Sequence, residues 1–137
     1  MSEERPSIAR ARAKMREDHD RLHAVLARLR AEPDRTALAA LLRELPRRLA
    51  EHFRREEEPG GLYDAMGVSL PEARGEVGRL VDDHFRLVSM ARNLAEEALS
   101  PHVTTTALRE QAARVAGYLD DHEQREHDLA GTMAEGA

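Results

Sequence analysis

Apolar residues along the 137-residue chain recur at helical spacing, and nowhere with the alternation of a strand. On a wheel of about 100° per residue, Ile8, Met15, Leu22, Leu26 and Leu29 fall within about 60° of one another. Leu38, Leu41, Leu42, Leu45 and Leu49 form a second stripe. Val77, Leu80, Val81, Leu87, Val88, Ala91 and Leu94 form a third, and Leu108, Ala112, Val115, Leu119, Leu129 and Met133 a fourth. Punctuation separates the four. Pro6 opens the first, Glu32-Pro33-Asp34 closes it with Asp34 as N-cap of the next, and Pro59-Gly60-Gly61 ends the second. An irregular stretch, 62–70, follows. Ser69 with Glu72 and the intervening Pro71 reads as a capping box for the third, which stops before Ser100-Pro101. Thr104-Thr105-Thr106 supplies the last N-cap. The pattern predicts helices over about 7–31, 34–58, 70–99 and 105–133. Pro46 falls inside the second and is expected to kink or loosen it. Four amphipathic helices with short connections predict an all-α, up-down antiparallel four-helix bundle, one domain over 1–137.

Polar residues interrupt each stripe. His19 lies among Met15, Leu22 and Leu26. His52 and Glu56 continue the row of Leu45 and Leu49. His84 lies between Leu80 and Leu87, and His122 and Glu126 lie between Leu119 and Leu129. Every helix therefore turns a histidine inward, and two add a carboxylate one turn later, since residues i and i+4 share a face. Buried carboxylates beside imidazoles need a compensating partner, and a metal cluster of iron, manganese or zinc supplies one. The arrangement repeats. Glu17-Asp18-His19 precedes His52-x-x-x-Glu56, and Asp82-Asp83-His84 precedes His122-x-x-x-Glu126, with Arg21-Leu22 answered by Arg86-Leu87. This reads as a duplicated helical hairpin in which each copy gives two histidines and one glutamate.

Composition narrows the chemistry. Seven histidines and no cysteine restrict any metal site to nitrogen and oxygen ligands and exclude disulfides, thiolate sites and cysteine nucleophiles. A net charge of −5 argues against nucleic-acid or anionic-membrane partners. Four aromatic residues, none of them Trp, argue against base-stacking platforms. The longest apolar run, 37–42, is far short of the roughly 20 residues that span a bilayer. The charged N-terminus shows no signal peptide, and the expected location is cytoplasmic.

The set His19, His52/Glu56, His84 and His122/Glu126 resembles the hemerythrin-like (HHE, cation-binding) domain over about residues 8–130. The resemblance implies a di-iron centre in the bundle. His19 and His52 would bind one iron, and His84 and His122 the other. Glu56 and Glu126 would bridge, and an oxo, hydroxo or aqua bridge would complete the pair. It implies dioxygen, nitric oxide or iron binding and sensing, or peroxide turnover. The oxygen-carrying members place a second histidine on the third helix, where Leu80 and Val88 stand here. They place a bridging aspartate where His127 stands here, with Glu126 before it. Four core histidines leave one iron an exchangeable position or a substitute ligand. This favours peroxide, nitric oxide or oxygen chemistry over strict oxygen carriage.

The remaining candidates have plainer readings beside the functional ones. A lone core histidine is more often a hydrogen-bonded structural residue than a ligand. His23 is a fifth ligand, a hydrogen-bond donor to the site or, as the favoured reading, a flanking surface residue. His127 is expected in solvent, and His102 sits in a loop without a role. Glu57 and Glu58 turn outward. Asp18, Asp20, Asp82 and Asp83 orient imidazoles or, as favoured, belong to exposed helix surface. Tyr63 and Tyr118 touch a bound oxygen species or, as favoured, pack at the core or rim. Two functions stand: a di-iron protein binding or sensing a small ligand, and a di-iron enzyme that turns over hydrogen peroxide. A zinc-bound or metal-free interaction module is a weaker third. A monomer or weak homodimer fits either of the first two.

Overall fold

The computed structural model describes residues 7–67 and 71–135. Four long helices, α1 (Ile8–Ala31), α2 (Arg35–Glu57), α4 (Pro71–Glu97) and α5 (Thr105–Glu135), enclose a short one, α3 (Leu62–Ala65). The long helices form a closed ring, with α1 beside α2 and α5, and α4 beside the same two. Among the described residues there is no strand, and no helix is long and apolar enough to cross a membrane.

The caps follow the predicted chemistry. Asp34 accepts from the Ala37 amide at 2.9 Å, and Thr104 from Ala107 at 3.0 Å. Ser7 caps α1 through Arg10. The Ser69–Glu72 capping box, the start at Pro6 and the Met133 side chain lie outside the described residues. The helix carries through Pro46 to Glu57; the ring costs one backbone donor without ending the helix. At the 32–34 end, the Arg35 guanidinium donates to the carbonyls of Val103, Ala98 and Ser100, and Arg109 donates to Glu32. Both loops at that end are thereby tied together.

The core is divided along the bundle axis. One cluster, including Leu26, Leu42, Leu49, Phe53, Leu94 and Leu119, fills the 32–34 end. A second, including Met15, Leu62, Tyr63, Leu80 and Leu129, fills the other. The polar stripe positions lie between the two. Within the stretch expected to be irregular, 62–65 form α3, whose Leu62, Tyr63 and Ala65, followed by Met66, are all buried. Gly60 turns the chain there with φ +86. At Gly61 the returning chain runs so close to α2 that a Cβ would overlap the carbonyl oxygens of Arg55, Glu56 and Glu58.

Two alanine substitutions should therefore act in opposite directions. Gly61→Ala is expected to cost at least about 2 kcal/mol, because the obstructing atoms are backbone. Gly117→Ala, in the exposed middle of α5 with open space around it, is expected to gain up to about 1 kcal/mol. Urea unfolding midpoints of the two variants check both signs.

Candidate metal centre

Helix periodicity brings all six predicted residues to one layer. His52, Glu56, His84, His122 and Glu126 are buried, and His19 is half-buried with 19% of its side chain exposed. Two groups of ligand atoms form, each within 4.8 Å: Glu56, His84, His122 and Glu126 in one, and His19, His52 and Glu56 in the other. Glu56 sends Oε1 to His84 Nε2 at 3.2 Å. Its Oε2 faces His52 Nε2 at 3.5 Å and His19 Nε2 at 3.7 Å. Glu126 sends Oε2 to His122 at 3.5 Å, while its Oε1 lies 3.9 Å from His19. Each carboxylate thus presents one oxygen to each half.

The proton positions decide what such a layer can hold. His84 Nδ1 lies 2.8 Å from the Glu57 carboxylate, and His122 Nδ1 3.3 Å from Asp83. A carboxylate only accepts, so each Nδ1 carries the proton, and a neutral ring then presents a lone pair at Nε2. The two Nε2 atoms are 3.0 Å apart. With Glu56 Oε1 they converge on a common region that no lysine or arginine side chain enters among the described residues, so a bound cation would take the place of any proton shared there. In the other half His19 Nε2 and both nitrogens of His52 have no hydrogen-bond partner, nor do both oxygens of Glu56 and Oε1 of Glu126. Buried polar atoms without partners are costly. Ligands about 3 Å apart suit two positions at right angles around an ion about 2.1 Å from each. The donors present fit a cation-binding site built from imidazole and carboxylate.

Burial sets the charges of the metal-free layer. Desolvation, reinforced by the charge of Glu126, pushes the Glu56 carboxyl well above the ordinary range. Desolvation also opposes ionisation of Glu126, but hydrogen bonding from His122 and His84 outweighs it and holds that carboxyl low. Burial lowers His19, and it lowers His52 to about 4. It opposes protonation of His122 too, yet Glu126 and Asp83 raise that histidine on balance.

Several residues read as bystanders are in contact with the site. Glu57 does not point away: its carboxylate holds His84. Asp18 and Asp83 are not free helix surface. Asp83 holds His122, and Asp18 lies 3.9 Å from His52 Nδ1. Arginine fixes both aspartates: Arg55 is 3.2 Å from Asp18, and Arg125 is 2.7 Å from Asp83. The signal was in the repeat, as D-H-x-R-L at 18–22 and 83–87 and H-x-x-R-E at 52–56 and 122–126. Each aspartate serves the histidine of the neighbouring helix, so helix wheels alone could not assign it. Tyr63 packs in the core and also reaches the site. Its hydroxyl donates to Glu126 Oε2 at 2.7 Å and lies 2.9 Å from His84 Nε2. Glu123, one residue after His122, faces His19 at 3.8 Å. His23 belongs to neither core group; it pairs with Glu123. His127 is exposed and meets Arg12, and His102 and Tyr118 are exposed at the surface.

Removing metal should leave this layer unbalanced. Chelation is expected to cost about 3 kcal/mol and to lower Tm by on the order of 10 °C. The metal-free protein should also acquire a pH dependence with two limits. Glu56, raised on folding, contributes less as pH climbs above about 4.5. His52, depressed to about 4, contributes less as pH falls from about 6.5 toward 4. Calorimetry of chelated and untreated protein from pH 4 to 8 checks both; identical curves would contradict the inward placement of these groups.

The profile of the hemerythrin HHE cation binding domain matches residues 10–134. No curated protein and no solved structure is matched. The matched region runs from the first turn of α1 to the last of α5 and contains all six residues of the layer. The chain belongs to the hemerythrin HHE cation-binding domain family.

Proposed function

We propose that the protein is a non-haem di-iron protein that binds or senses a small ligand, with dioxygen, nitric oxide or iron itself as the candidates. His19 and His52 would hold one iron and His84 and His122 the other, and Glu56 and Glu126 are the carboxylates placed to serve both. The observation that carries this reading is the division of each carboxylate between the two histidine pairs. A mixed imidazole–carboxylate set at the centre of a bundle suits two bridged irons better than one four-coordinate zinc.

Such a pair supplies adjacent redox-active Lewis-acid positions to an exogenous ligand. The chain's own residues then set access and proton supply. The Phe53 ring stacks on His84 at 3.9 Å, and the Tyr63 ring lies nearly parallel to His84 at 5.7 Å. That half of the centre has aromatic rings on both faces of His84, and a cleft of about 540 Å³ reaches Phe53 and His84 from outside. The His19 half borders a cleft of about 390 Å³, which also reaches Glu126. Burial, then the charges of Glu126 and Glu56, keep the Tyr63 phenol protonated, so it acts as a hydrogen-bond donor at the centre. This hydroxyl favours a second reading, turnover of hydrogen peroxide, which needs a proton donor beside the bound oxygen atoms.

Elemental analysis is expected to give two irons per chain; zinc alone, or no metal, would sink the iron reading. Anaerobically reduced protein should gain a visible adduct spectrum with dioxygen or nitric oxide, and no change with either would count against ligand binding. Peroxide turnover predicts oxygen evolution that Glu56→Ala abolishes, whereas equal rates in both proteins, or none, remove the enzyme reading. Tyr63→Phe should retain its iron and weaken the adduct or the turnover about tenfold, the worth of one charge-assisted hydrogen bond. An unchanged Tyr63→Phe protein would reduce Tyr63 to packing.

A further inference from the structure

Beside the centre, His23 of α1 faces Asp120 and Glu123 of α5. His23 Nε2 lies 2.7 Å from Glu123 Oε2, and Nδ1 lies 3.5 Å from Asp120 Oδ1. The three residues offer ligand atoms within 4.8 Å of one another. A surface ion pair would need no more than this, but Glu123 is not an ordinary surface residue. Only 12% of its side chain is exposed. Its other oxygen, Oε1, is buried without a hydrogen-bond partner and faces His19 Nε2, which is also unpartnered, at 3.8 Å. One carboxylate therefore joins the outer cluster to the half of the centre that borders the cleft, and Asp120, Glu123 and His19 all line that cleft.

We propose that His23, Asp120 and Glu123 form a peripheral site for a divalent first-row cation, from which Glu123 passes Fe2+ to His19. One imidazole and two carboxylates, completed by water, suit such an ion. On capture, the ion replaces the proton held between His23 and Glu123, and that proton leaves to water. The ion stays divalent throughout, so no oxidant is required. On transfer, the Glu123 carboxylate exchanges its Oε2 contact for Oε1, on the side that already faces His19. Capture stands on this cluster alone; transfer rests on the di-iron reading of the centre.

Mn2+ is the probe for capture, counted by the loss of its free EPR signal on addition to protein carrying its core metal. The wild type should bind one Mn2+ per chain beyond the core metal. The double variant His23→Gln/Asp120→Asn, altered only at partly exposed positions outside the centre, should bind it at least tenfold more weakly at unchanged core metal content. No uptake by the wild type, or equal uptake by the variant, overturns the site. For transfer, metal-free protein is given Fe2+ anaerobically, and incorporation into a chelator-resistant form is followed in time. The double variant should load at least tenfold more slowly to the same final iron content, and equal rates overturn the transfer step. A failure of the di-iron reading would appear separately, as a wrong final iron content in the wild type, and leaves the Mn2+ count untouched.

Discussion

Crowded ligand atoms at the middle of the bundle are the constraint on which the rest of the structure depends. Two imidazoles whose Nδ1–H groups donate to carboxylates bring their Nε2 atoms to 3.0 Å, with an oxygen of Glu56 beside them. No lysine or arginine enters that layer among the described residues. Folding therefore brings together groups that repel or stay unsatisfied until a cation joins them. The two hydrophobic clusters at either end supply the cohesion that holds the layer in place. The tight return at Gly61 seats α3 over the last turn of α2, and that seat delivers the Tyr63 hydroxyl to Glu126.

Much of this was legible in the residue order because both ingredients are periodic. Helical spacing placed the stripes, and the same spacing placed His52 above Glu56 and His122 above Glu126. Cap chemistry located Asp34 and Thr104 correctly. What spacing could not give was the contact between helices. Whether Asp83 meets solvent or His122 depends on how α4 and α5 are rotated against each other, and a single wheel holds no information on that angle. Tyr63 was a candidate for the site, with packing the favoured reading, and the choice stayed open for a different reason. Its position follows from a loop whose path is set by two glycines and a carbonyl contact, not by any hydrophobic period. Glu57 stands on the outward side of its helix, yet its side chain is long enough to reach back to a histidine of α4.

The duplication extends further than the ligands. Asp18 faces His52 and pairs with Arg55 as Asp83 faces His122 and pairs with Arg125, so each hairpin carries its own aspartate, clamped by arginine, beside the ring of its second helix. Asp83 hydrogen-bonds His122 at 3.3 Å, so there the register between the two helices and the orientation of the imidazole are set together, whereas Asp18 stands 3.9 Å from His52. A hairpin built this way needs a second copy, because each of its ligand groups is completed by a residue of the other hairpin: Glu56 meets His84, and Glu126 faces His19.

The two copies have nevertheless diverged at one position that matters. The residue after the second histidine is Phe53 in one hairpin and Glu123 in the other. Phe53 stacks on His84, whereas Glu123 sends one oxygen toward His19 and the other to His23. Burial pushes the Glu123 carboxyl up to about 7 even though its contact with His23 pulls it down. A carboxylate buried to that degree is costly to ionise, and its one close partner among the described residues is the imidazole of His23. The matched ligands thus build a cation site to which both hairpins contribute alike. At this position the hairpins part: a stacked aromatic ring lies beside His84, whereas a carboxylate lies beside His19 and turns its second oxygen to His23. Two copies that agree in every ligand can therefore differ in what surrounds each half of the site, because the residue after the second histidine faces the neighbouring helix and not the ligand layer itself.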